Sequence, residues 1–192
     1  MTSPEAGRRK GLATLALVIA VCVTPFAASY LVYYVWPPQS RMNYGTLIEP
    51  RPLPAAPLVR VDGSKFSIAE LRGHWVLVQI DASGCTDACR RKLYFMRQVR
   101  LTQGHDMDRI ERVWLIRDDG RVDPGLLRDY AGTYAARAGG AVVSAFPAER
   151  DAADHIYLVD PLGNVMLRFP ADADPGRMKK DLERLLKVSK VG

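Results

Sequence analysis

Cysteine is scarce in this 192-residue chain: three in all, Cys22, Cys85 and Cys89. Only two of them lie outside the long apolar run near the N-terminus, too few for a zinc site built on four cysteines. Histidine is equally scarce, with three residues. No internal repeat is visible. The net charge of +6 is scattered, because Arg and Lys alternate with Asp and Glu along most of the chain. No stretch joins a basic stripe to spaced stacking aromatics, which excludes the ordinary footprint of nucleic-acid binding. What remains is an apolar content of 48% in a length that holds one domain and an appendage.

The appendage comes first. Residues 1–11 end in "GRRKG", and residues 12–36, "LATLALVIAVCVTPFAASYLVYYVW", carry no charge. As a helix this run is about 37 Å long, enough to span a hydrocarbon core of roughly 30 Å with some tilt. Pro25 is placed to kink it. Tyr30, Tyr33, Tyr34 and Trp36 cluster at the far end, as an interfacial aromatic belt does. Arg8, Arg9 and Lys10 precede the span, and only Arg41 and Arg51 follow within fifteen residues. The positive-inside rule therefore expects a cytoplasmic N-terminus and an exported remainder. A cleaved signal peptide would leave "YLVYYVW" as its new start, and a lipoprotein signal would need Cys22 well before the apolar run ends. Cys22 reads instead as a small apolar residue of the span. Outside the cytoplasm, exposed cysteine pairs tend to be oxidised.

Residues 37–57, rich in proline, read as an extended linker. Residues 58–192 are expected to fold. "PLVRVDGSKF" reads as a hairpin turning at Asp62-Gly63, followed by a helical turn capped by Ser67. "HWVLVQID" (74–81) and "ERVWLIRD" (111–118) read as buried strands. Residues 86–104 read as a helix with Cys89, Leu93, Met96, Val99 and Arg100 on one face. Residues 123–140 start a helix at Asp123-Pro124. "HIYLVDPLGNVMLRFP" (155–170) gives two strands around a turn at 161–164, and residues 174–190 give a last helix with Met178, Leu182, Leu185 and Leu186 buried. The order β-α-β followed by β-β-α predicts an α/β, thioredoxin-like fold: a central mixed sheet flanked by helices, with one N-terminal transmembrane helix.

Cys85 and Cys89 fall where the first buried strand hands over to the helix. Helix positions four apart have Cβ atoms about 5–6 Å apart, whereas a relaxed disulfide wants about 3.8 Å, so a bond here needs local adjustment. The helix N-terminus favours the thiolate form. Both features point to a reactive pair. Two thiolates also suit Cu(I). A purely structural bridge would close a loop of few residues and restrain little chain entropy. His74 and His105 read as surface residues. His155 opens the hairpin strand, which runs antiparallel to the strand before Cys85, so that end lies beside the thiols. As a third ligand His155 would let the site hold Cu(II) as well as Cu(I).

The chain resembles the Sco/SenC family, membrane-anchored thioredoxin-fold proteins that help deliver copper to cytochrome c oxidase. The resemblance covers roughly residues 58–190 and the N-terminal span. "CTDAC" keeps Cys85, Asp87 and Cys89 of the family's C-P-D-x-C motif, with Thr86 and Arg90 where prolines are usual. "WLIRDDGRVDPGLLRDY" and "DHIYLVDPLGN" match further segments. His155 lies two residues before Tyr157, where the family's ligand histidine lies about five before, and a three-residue slip changes strand parity. The resemblance implies a metal site of Cys85, Cys89 and His155. It also implies a cytochrome c oxidase subunit, or another thiol or copper protein at the membrane surface, as partner. The implied location is a bacterial inner membrane, with the domain in the periplasm. Two other readings stay open. One is a membrane-tethered thiol–disulfide oxidoreductase with Cys85 and Cys89 catalytic, Cys85 attacking and Cys89 resolving, although the C-x-x-C spacing and the proline before the hairpin strand are missing. The other is a redox-silent binding module.

Overall fold

The computed structural model of the chain describes residues 4–35, 43–189 and 191. It forms two compact units, Met1–Met42 and Asn43–Gly192. The first holds one helix, α1 (Pro4–Val35), whose stretch Leu12–Val32 is long and apolar enough to cross a membrane. Pro25 lies inside it, and the Thr24 hydroxyl donates to Ala20 O at 2.6 Å, one turn back. The Tyr30 and Tyr34 rings meet at 4.5 Å. Trp36 of the expected aromatic belt, Arg41, and residues 37–42 of the expected linker lie outside the described residues.

The second unit is built on a mixed sheet in the order β1-β8-β7-β4-β5-β6-β2-β3. At its centre is β4 (Trp75–Asp81), buried along nearly its whole length because nothing in "WVLVQI" needs water. It pairs in parallel with β5 (Ile110–Ile116), from Trp75 opposite Ile110 to Asp81 opposite Ile116. It pairs antiparallel with β7 (Ile156–Val159), Gln79 opposite Ile156. Alternation then sorts the side chains into two layers. Val76, Val78, Ile80, Tyr157 and Val159 share one face with Ile68, Leu71, Val142 and Phe146. Trp75, Leu77, Ile156 and Leu158 share the other with Met96 and Val99 of α2 (Asp87–Leu101) and with Met178, Leu182 and Leu186 of α5 (Pro175–Val188). Full burial of each such side chain contributes about 1.5–3 kcal/mol. Asp181 is also buried on α5, accepting from Gly45 N–H at 2.8 Å, while Leu185, expected in the core, is only partly covered.

The expected hairpin is present as β2 (Leu58–Arg60) and β3 (Lys65–Phe66), with Gly63 at φ 85° in the turn. Ser67 caps the following turn through a reciprocal pair with Glu70. The hairpin of β7 and β8 (Asn164–Phe169) turns at Gly163, φ 93°. Two expectations change. The helix expected over 123–140 is only α3 (Pro124–Asp129). Gly132 at φ 80° ends that path, and β6 (Thr133–Arg137) follows, parallel to β5; a short helix, α4 (Gly140–Val143), comes after it. The segment expected to be wholly linker contains β1 (Thr46–Pro52), an exposed edge strand paired antiparallel with β8 across a register shift between Leu47 and Arg51.

Candidate functional site

Cys85 and Cys89 are joined in a disulfide, Cα atoms 5.1 Å apart. The adjustment expected from their spacing is made in the backbone. The helix begins at Asp87 with Thr86 as N-cap, so Cys85 stands in the turn before it, at φ 26°. A non-glycine residue there carries strain of order 1 kcal/mol or more, of the kind that gathers at functional sites. Cys89 lies on the inner face of α2, packed with Leu93, Trp114, Ile116, Val122 and Leu126. Both cysteines are buried, Cys85 at 3% and Cys89 at 0% exposure. Cys85 is therefore the more accessible of the two by only a small margin.

A polar row runs beneath the pair along the odd positions of β4. Gln79, fully buried, donates from Nε2 to Cys89 Sγ at 3.6 Å. Asp81 pairs with the Lys92 ammonium at 2.8 Å, with side-chain exposures of 13% and 9%. Lys92 also donates to Ile80 O at 3.5 Å and to Ala153 O. The ammonium thus ties β4, α2 and the turn before β7 together, one helical turn along from Cys89. Sequence reading missed Lys92 because it took every lysine as solvated. The available signal was its position between Cys89 and Leu93 on the apolar arc of α2.

His155 is not gathered with the thiols. It directly precedes β7, and its ring lies 6.0 Å from that of Tyr157, edge to face. Its Nδ1 is 2.9 Å from Phe169 O. Tyr157 belongs to the sheet face opposite α2, so strand parity turns His155 away from Cys89. Among the described residues no group of three His, Cys, Asp or Glu side chains is arranged to hold a metal ion.

The disulfide is roofed by the segment after β5. Val122 packs on the pair, and Ser83 N–H donates to both oxygens of Asp118 at 3.2 Å. Gly120 closes this approach: a Cβ there would lie 2.1 Å from Ser83 Oγ. Arg137 holds the same segment by donating to Asp118 O and, at 2.9 Å, to Gly120 O. Arg117 pairs with Asp151 at 2.7 Å. The Ser83 hydroxyl, then its backbone N–H, holds the Asp118 carboxyl below its usual range. The Ala153 N–H, then the Arg117 guanidinium, does the same for Asp151. Carboxyls lowered in the fold stabilise it above their ordinary value near ~3.9, and that stabilisation is lost as pH falls through the lowered values. Reduction of the disulfide by a water-soluble phosphine, normalised at each pH to a peptide disulfide, is therefore expected to accelerate below about pH 4. A constant ratio across that range would remove the clasp from the account.

The family described as transmembrane-like, thioredoxin-like, C-terminal domain matches residues 75–189, more than half of the chain. The chain belongs to that family. No curated protein matches it. Among solved structures, this transmembrane-like, thioredoxin-like chain is similar to copper-bound ScoI of Bradyrhizobium japonicum, at 20% identity and a TM-score of 0.53 over 71% of this chain and 99% of that one. It is similar to apo Sco1 of Thermus thermophilus, at 17% identity and 0.57 over 77% and 99%. It is also similar to the thioredoxin domain of a Bacteroides vulgatus thiol–disulfide oxidoreductase, at 16% identity and 0.54 over 73% and 99%. At such identities these likenesses speak for the fold: a thioredoxin-like domain behind one helix apolar enough to span a membrane.

Proposed function

We propose that the chain is a membrane-anchored, Sco-like assembly factor whose Cys85–Cys89 pair acts as a dithiol reductant on the cysteines of a copper-site protein, such as a cytochrome c oxidase subunit. The observation that supports this reading is the pair itself: two cysteines close enough to bond at a strand–helix junction, with no third ligand gathered. Residues 12–36 tether the domain, and Arg8, Arg9 and Lys10 keep the N-terminus cytoplasmic, so the domain works outside.

The exchange proceeds in two steps. In the reduced chain the Cys85 thiolate attacks one sulfur of a target disulfide, and the other target sulfur leaves as a thiolate and takes up a proton. Cys89 then attacks Cys85 Sγ in the mixed disulfide, releasing the second target thiol and leaving Cys85–Cys89 oxidised. Two electrons pass to the target, and a separate thiol reductant resets the pair. The Gln79 amide, already donating to Cys89 Sγ, is placed to stabilise negative charge on that sulfur. The segment carrying Val122 must move aside for a target to reach Cys85. The test incubates the full chain in detergent micelles with a peptide carrying a disulfide-bonded cysteine pair and follows both partners by thiol alkylation. Stoichiometric reduction of the peptide is expected; none at all would sink the reading.

A second reading, Cu(I) as cargo, draws on the same two sulfurs, which once reduced suit a soft ion with two donors. The copper-bound state of the ScoI relative lends support. His155 does not complete that site from where it stands. His155→Ala is expected to leave Cu(I) affinity, measured against a competing chelator, within about twofold, whereas loss of a true ligand would cost about tenfold or more. A tenfold loss would show that the ring swings round β7 to meet the thiols.

A further inference from the structure

Beyond the thiol pair, the cleft between β2, β5, β6 and the turn after α3 holds chemistry that no redox step uses. It measures about 590 Å³, and three arginines, Arg60, Arg100 and Arg112, line it. Arg112 is only 5% exposed. One of its amino groups donates to Ala131 O at 2.8 Å, while Nε and Nη1 are buried with no hydrogen-bond partner. Arg60 shows the same deficit: its guanidinium sits 4.8 Å from the ring centres of both Phe66 and Tyr134, and its Nε is buried and unpartnered. Three guanidinium N–H donors in one cleft therefore lack acceptors.

Such an arrangement is costly unless something answers it. A buried cation without a counter-charge gives up hydration it does not recover. Burial pulls the Arg112 pKa down from its ordinary value, and repulsion from Arg100 and Arg97 adds to this, partly opposed by Glu111. The carboxylates lining the cleft do not resolve the deficit. Asp62 is turned into its own turn, accepting from Ser64 N–H at 2.8 Å and from the Ser64 hydroxyl at 2.6 Å. Glu111 makes no hydrogen bond to Arg112, whose only bonded partner is Ala131 O. The backbone makes room for the guanidinium as well: a Cβ at Gly132 would lie 3.1 Å from Arg112 Nη2, and Gly132 stands at φ 80°, where L residues rarely go.

We propose that this cleft binds a small organic anion through a phosphate or carboxylate group, with Arg112 and Arg60 as its recognising guanidinium groups. Both oxyanions match the planar fork of arginine, which bonds them bidentately. The volume exceeds that of a bare ion, and Val61, Leu127 and Tyr134 give the remainder an apolar wall suited to a carbon skeleton. The site stands apart from the dithiol chemistry, so either can fail without the other.

The test uses the full chain in an uncharged detergent, with inorganic phosphate and citrate as the two probes. Calorimetric titration is expected to show saturable binding of at least one, and their ranking tells phosphate from carboxylate preference. At about ten times the dissociation constant, the bound anion raises the melting temperature by roughly 3–6 °C over sodium chloride of equal ionic strength. Arg112→Met is expected to abolish both effects without lowering the anion-free melting temperature, since it removes an unanswered buried cation. Arg60→Met, nearer the rim, serves if Arg112→Met fails to fold, and is expected to weaken binding at least tenfold. No saturable binding of either probe up to about 10 mM would overturn the proposal. So would equal stabilisation of wild type and both variants by phosphate, which stabilises many proteins by exclusion alone.

Discussion

A Cys89→Ser chain is expected to become trapped on its target. Cys85 still attacks, but no second thiol resolves the mixed disulfide, so a covalent adduct accumulates that runs at the summed mass on a non-reducing gel and vanishes with reductant. Cys85→Ser is expected to give no adduct, because Cys89, at 0% exposure, is out of reach. The reverse pattern would exchange the two roles, and adducts from neither variant would end the exchange mechanism. Stability separates this from a structural staple. The bridge closes a very short loop, so its removal is expected to cost no more than about 2 kcal/mol by the chain-entropy account. A fold that collapses in both serine variants would point to a staple instead.

Lys92→Met is expected to destabilise the domain by about 3 kcal/mol, lowering its melting temperature by roughly 6–12 °C. The methionine fills the space of the aliphatic stem, so what is lost is the ammonium that answers Asp81 and the carbonyls of Ile80 and Ala153. Asp81 would retain only the bond from Ala82 N–H. Adding Asp81→Asn is expected to recover a substantial part of the loss, because the stranded charge is what costs most. If the double variant is no better than Lys92→Met alone, the carbonyl contacts rather than the ion pair hold this junction.

The parts of the fold legible in the sequence are those whose reason is local. "HWVLVQID" is apolar on both faces and bounded by polar ends, which only a central strand needs. Asp123-Pro124 and Asp174-Pro175 mark helix starts because the aspartate accepts from the first free N–H groups. The parts that were not legible depend on neighbours. "TYAARA" continues a helical pattern in isolation, and β6 forms there because Gly132 breaks the path and β5 offers a parallel edge. The site divides the same way. The cysteines announce themselves by spacing, and the three-residue slip at His155 foretells its turn away from them. Lys92 and Arg112 look like surface charges until the sheet and α2 close over them.

The outermost strand bears on how such chains coexist. Anchored proteins are confined to two dimensions, where encounters between identical copies are frequent and an open ladder of N–H and C=O groups invites one copy to stitch onto the next. β1 forms this rim, and within its seven residues Pro50 and Pro52 supply no N–H at all, while Glu49 and Arg51 add exposed charge. The composition that disguised the segment as linker is also what spoils it as a template. Crowded in a membrane, neighbouring copies meet a rim that resists sheet-to-sheet polymerisation and leaves each domain free to present its thiols to other proteins.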